Sequence, residues 1–309
     1  MLASQNGHEA CVCMLLHNGA NVHTTDKHDK TALMLASQQG HEACVRILLQ
    51  NGANVNTTDK HVKTALMLAC QNGHEACVRM LLHSMCTHAV NMTDIDDRTA
   101  LMVYNGEVNK IDIHDKTALM LACQKGHKAC VRILLQNGAN VNTTSINGTT
   151  ALMLACLKGH EACVRILLQN GANVNTTNIH GTTALMLASQ NGHESSVCML
   201  LHNGANVNTT DIHDRTALML ACVCGFRNGN KPCVRMLLDN GATVTPLMLD
   251  LSNSSEECVR MMHSQLVRQV QACRLAFAMG AHKRSQSIVA KLPGDLLRHV
   301  TMMALPIPS

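Results

Sequence analysis

The sequence contains no tryptophan, one tyrosine (Tyr104) and two phenylalanines (Phe226 and Phe277) in 309 residues. Enzyme pockets and ordinary globular cores rely on aromatic rings for buried area and shape. A chain this poor in them fills space with smaller, more flexible groups: 46% of it is apolar, with 20 methionines and 16 cysteines. That composition suits thin layers of short helices. Strong charge is missing too. A net charge of +4 with 15% charged residues is too mild to announce nucleic acid or an acidic membrane as the partner. No apolar run approaches the roughly 18 residues of a membrane span, and no secretory signal opens the sequence. The expected setting is intracellular, cytoplasmic or nuclear, with no membrane partner. There the cysteines read as reduced thiols. Asn-x-Thr triplets such as Asn56-Thr57-Thr58 read as unglycosylated.

What is present is a repeat. TALM begins at Thr31, Thr64, Thr117, Thr150, Thr183 and Thr216, at intervals of 33 residues except for 53 between Thr64 and Thr117, where a further TALM begins at Thr99. GHEACV or a close variant begins at Gly7, Gly40, Gly73, Gly126, Gly159 and Gly192, and NGANV at Asn51, Asn137, Asn170 and Asn203. Each part of the repeat has a physical reading. The Thr31 hydroxyl is placed to cap a short helix, ALMLASQQ, which Gly40 ends in the left-handed conformation. GHEACVRILLQ is a second helix, with Val45, Leu48 and Leu49 on one face and Glu42, Arg46 and Gln50 on the polar stripe. Asn51-Gly52 stops it. NVNTTDKHDK is polar and turn-rich and suits an extended finger leading to the next threonine.

These residues resemble the ankyrin repeat family: TALMLA for its T-P-L-H-x-A, then GH, the V-x-x-LL run and NGANVN, over roughly residues 1–262. The resemblance implies an all-α repeat solenoid of stacked helix–turn–helix repeats with short finger hairpins, closed by a C-terminal helical cap. Two departures stand out. Only Pro246 keeps the family proline, and the family histidine is methionine at positions 34, 67, 120, 153, 186, 219 and 248. Thioether packing replaces a polar link there, and those rows are expected to be softer. The finger-turn glycine survives as Gly148 and Gly181, and Asp29, Val62, Asp115 and Asp214 replace it elsewhere. Asp tolerates that backbone region and Val does so poorly.

GHEACVR places His41, Glu42, Cys44 and Arg46 close together, the residue types of thiol catalysis and of zinc sites. A catalytic site occurs once, and this one recurs about six times. Neighbouring repeats sit on the order of 10 Å apart, too far for successive side chains to share a zinc with bonds of about 2 Å. Ser37, Ser189 and Ser196 also stand where other repeats have cysteine. The reading is small buried core residues, with Glu42–Arg46 and Glu75–Arg79 as helix-surface pairs worth about 0.2–0.5 kcal/mol each. No non-repeated set of nucleophile, base and oxyanion donor is present, and no phosphate-binding glycine loop. No enzyme, cofactor or metal is expected. Cys222, Cys224 and Cys233, around an insertion in the eighth repeat, carry only a weak metal pattern.

The array divides at its irregularities. Residues 1–83 form a first block whose opening repeat starts inside a helix, aligned with Met34, so fraying is expected there. Residues 84–116 hold a degenerate fourth repeat that lacks its second helix, either a weak joint or a loop bulging from a continuous stack. Residues 117–262 form a second block, and 263–309 a C-terminal helical segment. In that segment Leu292, Pro293, Asp295, Leu296, Leu297 and Val300 resemble the opening of an F-box. That resemblance implies a Skp1-type ubiquitin-ligase adaptor as a second partner. The competing reading is an amphipathic helix that caps the last repeat.

The leading functional expectation is a non-catalytic scaffold for a partner protein. By the family resemblance, its contact face combines finger tips and first helices. The finger candidates are Lys27, His28, Lys60, His61, Ile113, His114, Ile146, Asn147, Ile179, His180, Ile212 and His213. The first-helix candidates are Gln38, Gln71, Gln124, Leu157 and Gln190. Nucleic-acid binding along Arg46, Arg79, Arg132, Arg165, Arg235 and Arg260 is disfavoured by the low charge and the glutamates beside most of these arginines.

Overall fold

In the computed structural model, the structure describes residues 1–91, 108–223 and 230–244, together with 264, 267 and 268. It forms two compact units, Met1–Ile179 and His180–Ser309. The first holds α1 (Leu2–Gln5), α2 (Glu9–His17), α3 (Ala32–Gln39), α4 (Glu42–Gln50), α5 (Ala65–Asn72), α6 (Glu75–Asn91), α7 (Ala118–Lys125), α8 (Lys128–Gln136), α9 (Ala151–Lys158) and α10 (Glu161–Gln169). The second holds α11 (Ala184–Gln190), α12 (Glu194–His202), α13 (Ala217–Val223) and α14 (Lys231–Asp239). In the first unit the inner helices α1, α3, α5, α7 and α9 pack in series, and so do the outer helices α2, α4, α6, α8 and α10. In the second, α11 packs on α13 and α12 on α14.

Each inner helix begins as its sequence dictates. The Thr31 hydroxyl accepts the Met34 N–H at 3.2 Å, and Thr64, Thr117, Thr150 and Thr183 do the same for Met67, Met120, Met153 and Met186. Such a cap is worth about 1 kcal/mol. The helix ends at a left-handed glycine, Gly40 at φ 78° and Gly73 at φ 79°. Between these ends nearly every side chain is buried: Leu33, Met34 and Ala36 in one repeat, Leu66, Met67 and Ala69 in the next. The alanines let inner helices approach closely, and each buried Leu or Met contributes about 1.5–3 kcal/mol. The Met186 sulfur also accepts the Thr183 N–H at 3.5 Å. The outer helices bury Cys44, Val45 and Leu48 and their counterparts, except in α2, where only Val12 is buried and Cys11 and Leu15 are exposed.

The histidine after each glycine is an inter-repeat fastener. His41 Nε2 donates to the Gln5 carbonyl at 2.9 Å, His74 to Gln38 at 3.0 Å, His127 to Gln71 at 3.2 Å and His160 to Gln124 at 3.3 Å. A carbonyl oxygen only accepts, so Nε2 holds the proton. The ring lies against the glycine of the preceding repeat. A Cβ on Gly40 would sit 2.4 Å from His74 Nδ1. That glycine is therefore required twice, for its backbone angle and for its lack of a side chain. In the second unit Asn230 stands in place of the histidine and donates to the carbonyls of Ser189 at 3.2 Å and Ala221 at 3.3 Å.

Between Thr64 and Thr117 the stack is direct. His127 bonds to Gln71, and α7 packs on α5. Val108 is 1% exposed. Asn109 then makes the two bonds that Asn142 makes one repeat later: to Gly138 O at 3.3 Å and from Asn140 N at 2.7 Å, against Gly171 O at 3.2 Å and Asn173 N at 2.8 Å. Asn56, at the same position one repeat earlier, has a buried Oδ1 with no partner. Helix α6 has 17 residues where other outer helices have 9. The Thr99 TALM lies outside the described residues, as do Met248, Pro246, Arg260 and Cys224.

Of the two expected helix-surface pairs, Arg79 meets Glu75 at 2.8 Å. Arg46 makes no ion pair with Glu42 among the described residues. Both positions are solvated, where such a pair is marginal.

Candidate interaction surface

Four of the fingers are each built around one aspartate. The Asp26 carboxylate accepts the N–H groups of His28 at 2.8 Å and Lys30 at 2.9 Å. Asp59, Asp112 and Asp211 repeat the arrangement. The Lys30 N–H, against the opposing effect of burial and with help from the His28 N–H, holds the Asp26 carboxyl below its usual range. At Asp211 burial pushes the other way, and hydrogen bonds from Arg215 and His213 outweigh it. The residue three past that position takes positive φ, both where the position is aspartate (Asp29 59°, Val62 58°, Asp115 54° and Asp214 56°) and where it is Ser145 or Asn178 (Gly148 71° and Gly181 69°). Val62 is the strained member, because its branched side chain crowds the backbone in that region.

Successive finger tips are hydrogen-bonded to one another. In the first unit Lys60 N donates to His28 O at 3.2 Å, Ile113 N to His61 O at 3.2 Å, Ile146 N to His114 O at 3.3 Å and Ile179 N to Asn147 O at 3.0 Å. In the second unit Ile212 N donates to His180 O at 3.1 Å. All twelve finger candidates are exposed: Lys27, His28, Lys60, His61, Ile113, His114, Ile146, Asn147 and Ile179 in the first unit, His180, Ile212 and His213 in the second. The ladder fixes the tip backbones and leaves the side chains to solvent.

The first-helix candidates Gln38, Gln71, Gln124, Leu157 and Gln190 are half-buried. Three of them are already engaged. Lys30 Nζ donates to Gln38 Oε1 at 2.8 Å, Lys63 to Gln71 at 2.9 Å and Lys116 to Gln124 at 3.5 Å. These bonds brace each finger against its own inner helix. The lysines were not among the residues singled out from sequence, although a lysine immediately before the capping threonine and eight before the glutamine is a readable signal. Arg215 occupies the same place in the second unit and turns instead to Asp211, at 2.7 Å.

The recurring cysteines face inward, except Cys11 in α2, which is exposed. Burial pushes Cys77, Cys130 and Cys233 up to about 11, and Cys70, Cys123 and Cys156 higher than their ordinary value. The Cys123 thiol donates to the Cys163 sulfur, which holds Cys163 down. Neutral, enclosed thiols are poor nucleophiles. Among the described residues no group of three or more His, Cys, Asp or Glu is arranged to hold a metal ion. None of the described helices is long and apolar enough to cross a membrane. The residues with F-box resemblance, Leu292, Pro293, Asp295, Leu296, Leu297 and Val300, lie outside the described residues.

The family profile described as "Ankyrin repeats (3 copies)" matches residues 1–96, 88–178, 141–211 and 185–272. The chain belongs to the ankyrin repeat family. Among solved structures it is similar to the ankyrin repeat domain of human ASB11 (26% identity, TM-score 0.64, 79% of this chain and 97% of that one). It is also similar to the ankyrin repeat domain of Bcl-3, a member of the IkappaB protein family (28% identity, TM-score 0.57, 71% of this chain and 92% of that one). No curated protein matches the sequence. Ankyrin repeat domains are protein–protein interaction modules, and this chain is an all-helical repeat solenoid of that kind.

Proposed function

We propose that this protein is a non-catalytic scaffold that holds a partner protein along its finger tips and inner-helix edges. The observation that carries this reading is the contrast between backbone and side chains at the tips. The backbones are tied from finger to finger, and the side chains are exposed. A surface already ordered before contact loses less conformational entropy on binding. Among the described residues the outer helices expose mostly polar groups, and their large exposed apolar side chains are Met14 and Leu15 of α2.

The test is affinity capture from cell extract with the full chain, with a finger-tip variant (Ile146→Asp with Ile179→Asp), and with an outer-helix variant (Arg132→Glu with Arg165→Glu). A partner lost with the tip variant and kept with the outer-helix variant supports the reading, and the reverse pattern overturns it. The ligase-adaptor reading rests on the sequence of residues 292–300. Truncation after Met262 in the same experiment addresses it, because a Skp1-type adaptor would then be lost while the finger-bound partner stays.

A further inference from the structure

The tip ladder of the first compact unit changes character along its length. The stacked position reads Lys27, Lys60, Ile113, Ile146, Ile179. Both lysines are exposed, and no ion pair among the described residues engages either. The acidic groups around them are mostly occupied. Asp26 and Asp59 accept backbone N–H groups, which leaves Asp29 as the exposed carboxylate of the two tips. His28 and His61 add donors beside the lysines. The other end is aliphatic, with Ile113, Ile146 and Ile179 at 46%, 63% and 59% exposure. Large apolar side chains are not scattered over this protein. Among the described residues, the exposed ones lie at positions 1–15, on the fingers, and at Val267. A contiguous apolar row on an otherwise polar surface marks a contact site.

We propose that the ladder binds one extended protein segment of two-part chemistry, with acidic residues over Lys27 and Lys60 and branched aliphatic residues over Ile113, Ile146 and Ile179. The proposal rests on the finger face being the binding surface and adds the chemistry and polarity of what lies there. Charge complementarity at the lysine end supplies orientation and salt-dependent attraction. Burial of the isoleucines supplies attraction that salt does not screen. Tips about 10 Å apart give a row of about 40 Å, which an extended chain of about 12 residues spans at about 3.3 Å each.

The experiment uses the full chain and three fluorescent synthetic peptides of about 14 residues: one with an Asp/Glu block joined to an Ile/Leu/Ser block (made in both orders), one wholly acidic, and one Ile/Leu/Ser throughout. Anisotropy titration is expected to show the composite binding at least tenfold tighter than either single-chemistry peptide. Lys27→Glu with Lys60→Glu, and separately Ile113→Thr, Ile146→Thr and Ile179→Thr together, are each expected to weaken the composite at least tenfold. High salt should shrink the lysine effect and leave the isoleucine effect. Arg132→Glu with Arg165→Glu is the control and should change nothing. Circular dichroism of each variant checks that these surface changes leave the helices intact. A composite no tighter than the single-chemistry peptides, or a control as damaging as the tip variants, overturns the proposal. If a captured partner depends on Ile146 and Ile179 while no composite peptide binds, the two-part chemistry is wrong and the finger-face reading survives. If capture depends on the outer-helix arginines, the finger-face reading itself fails.

Discussion

Replacing residues 84–107 with a copy of the four residues Asn51–Asn54 restores 33-residue spacing between Thr64 and Thr117. The structure sets the expected cost. The swap ends α6 at His83 instead of Asn91, which gives it the nine residues of the other outer helices. The new turn also brings a backbone N–H to the Asn56 Oδ1, which is buried without a partner. Asn142 Oδ1 receives such a bond from Asn173 at 2.8 Å, and it is worth about 1 kcal/mol. Against this, the swap removes Met85, which is 4% exposed, at about 1.5–3 kcal/mol. The replacement alanine, whose model Ala53 is equally buried, recovers part of it. The net change is within about 2 kcal/mol of zero. If residues 84–107 instead supplied a necessary layer between two blocks, the swap would uncover Leu66, Met67, Leu119 and Met120, each worth about 1.5–3 kcal/mol. Urea unfolding followed by far-ultraviolet circular dichroism distinguishes the cases. A loss above about 4 kcal/mol, or two separated transitions where the parent has one, would refute the reasoning.

Three further outcomes follow from local geometry. Gly40→Ala meets both the left-handed backbone and the His74 ring and should cost about 2–3 kcal/mol, against about 1–2 kcal/mol for Gly52→Ala, whose added Cβ has open space; removing His74 as well should make the two glycine costs converge in a double-mutant cycle by urea denaturation. Val62→Gly relieves a branched residue at φ 58° and should stabilise by about 0.5–1 kcal/mol, the strain relief exceeding glycine's entropy cost; an unchanged or lower unfolding midpoint would contradict this. Asp26 and Asp211 have folded-state pKa values below the unfolded 3.8, so their contribution is complete above pH 3.8 and is lost as pH falls through the folded values. Asp211→Asn should therefore flatten the fall in Tm below pH 3.8 while lowering Tm at pH 7.

The features legible in the sequence were those decided within one repeat. The Thr31 cap, the left-handed Gly40 and the positive φ at Asp29 and Val62 depend on neighbours a few residues away, and local chemistry dictates them. Bonds between repeats were not legible. His41 reads as part of a helix start, and nothing in its own repeat says that Nε2 reaches the Gln5 carbonyl. The 53-residue interval announced an irregularity, but that Asn109 takes the place of Asn142 one repeat earlier is visible only through its bonds to the following turn. Gln38 reads as an open contact residue until Lys30 is seen on its amide. The Glu42–Arg46 pair reads the same as Glu75–Arg79, yet of the two only the second forms. All twelve finger candidates are exposed, on the fingers whose aspartates turn inward onto backbone N–H groups and equally on those that carry Ser145 or Asn178 in that place.

The central claim, that a partner sits on the finger ladder, is tested most directly by hydroxyl-radical footprinting of the protein alone and bound to a captured partner. The account predicts that Ile113, Ile146 and Ile179, exposed in the free chain, become protected from oxidation, while the exposed outer-helix residue Met14 reacts as before. Unchanged oxidation of the three isoleucines in the complex, with protection confined to the outer helices, would contradict it.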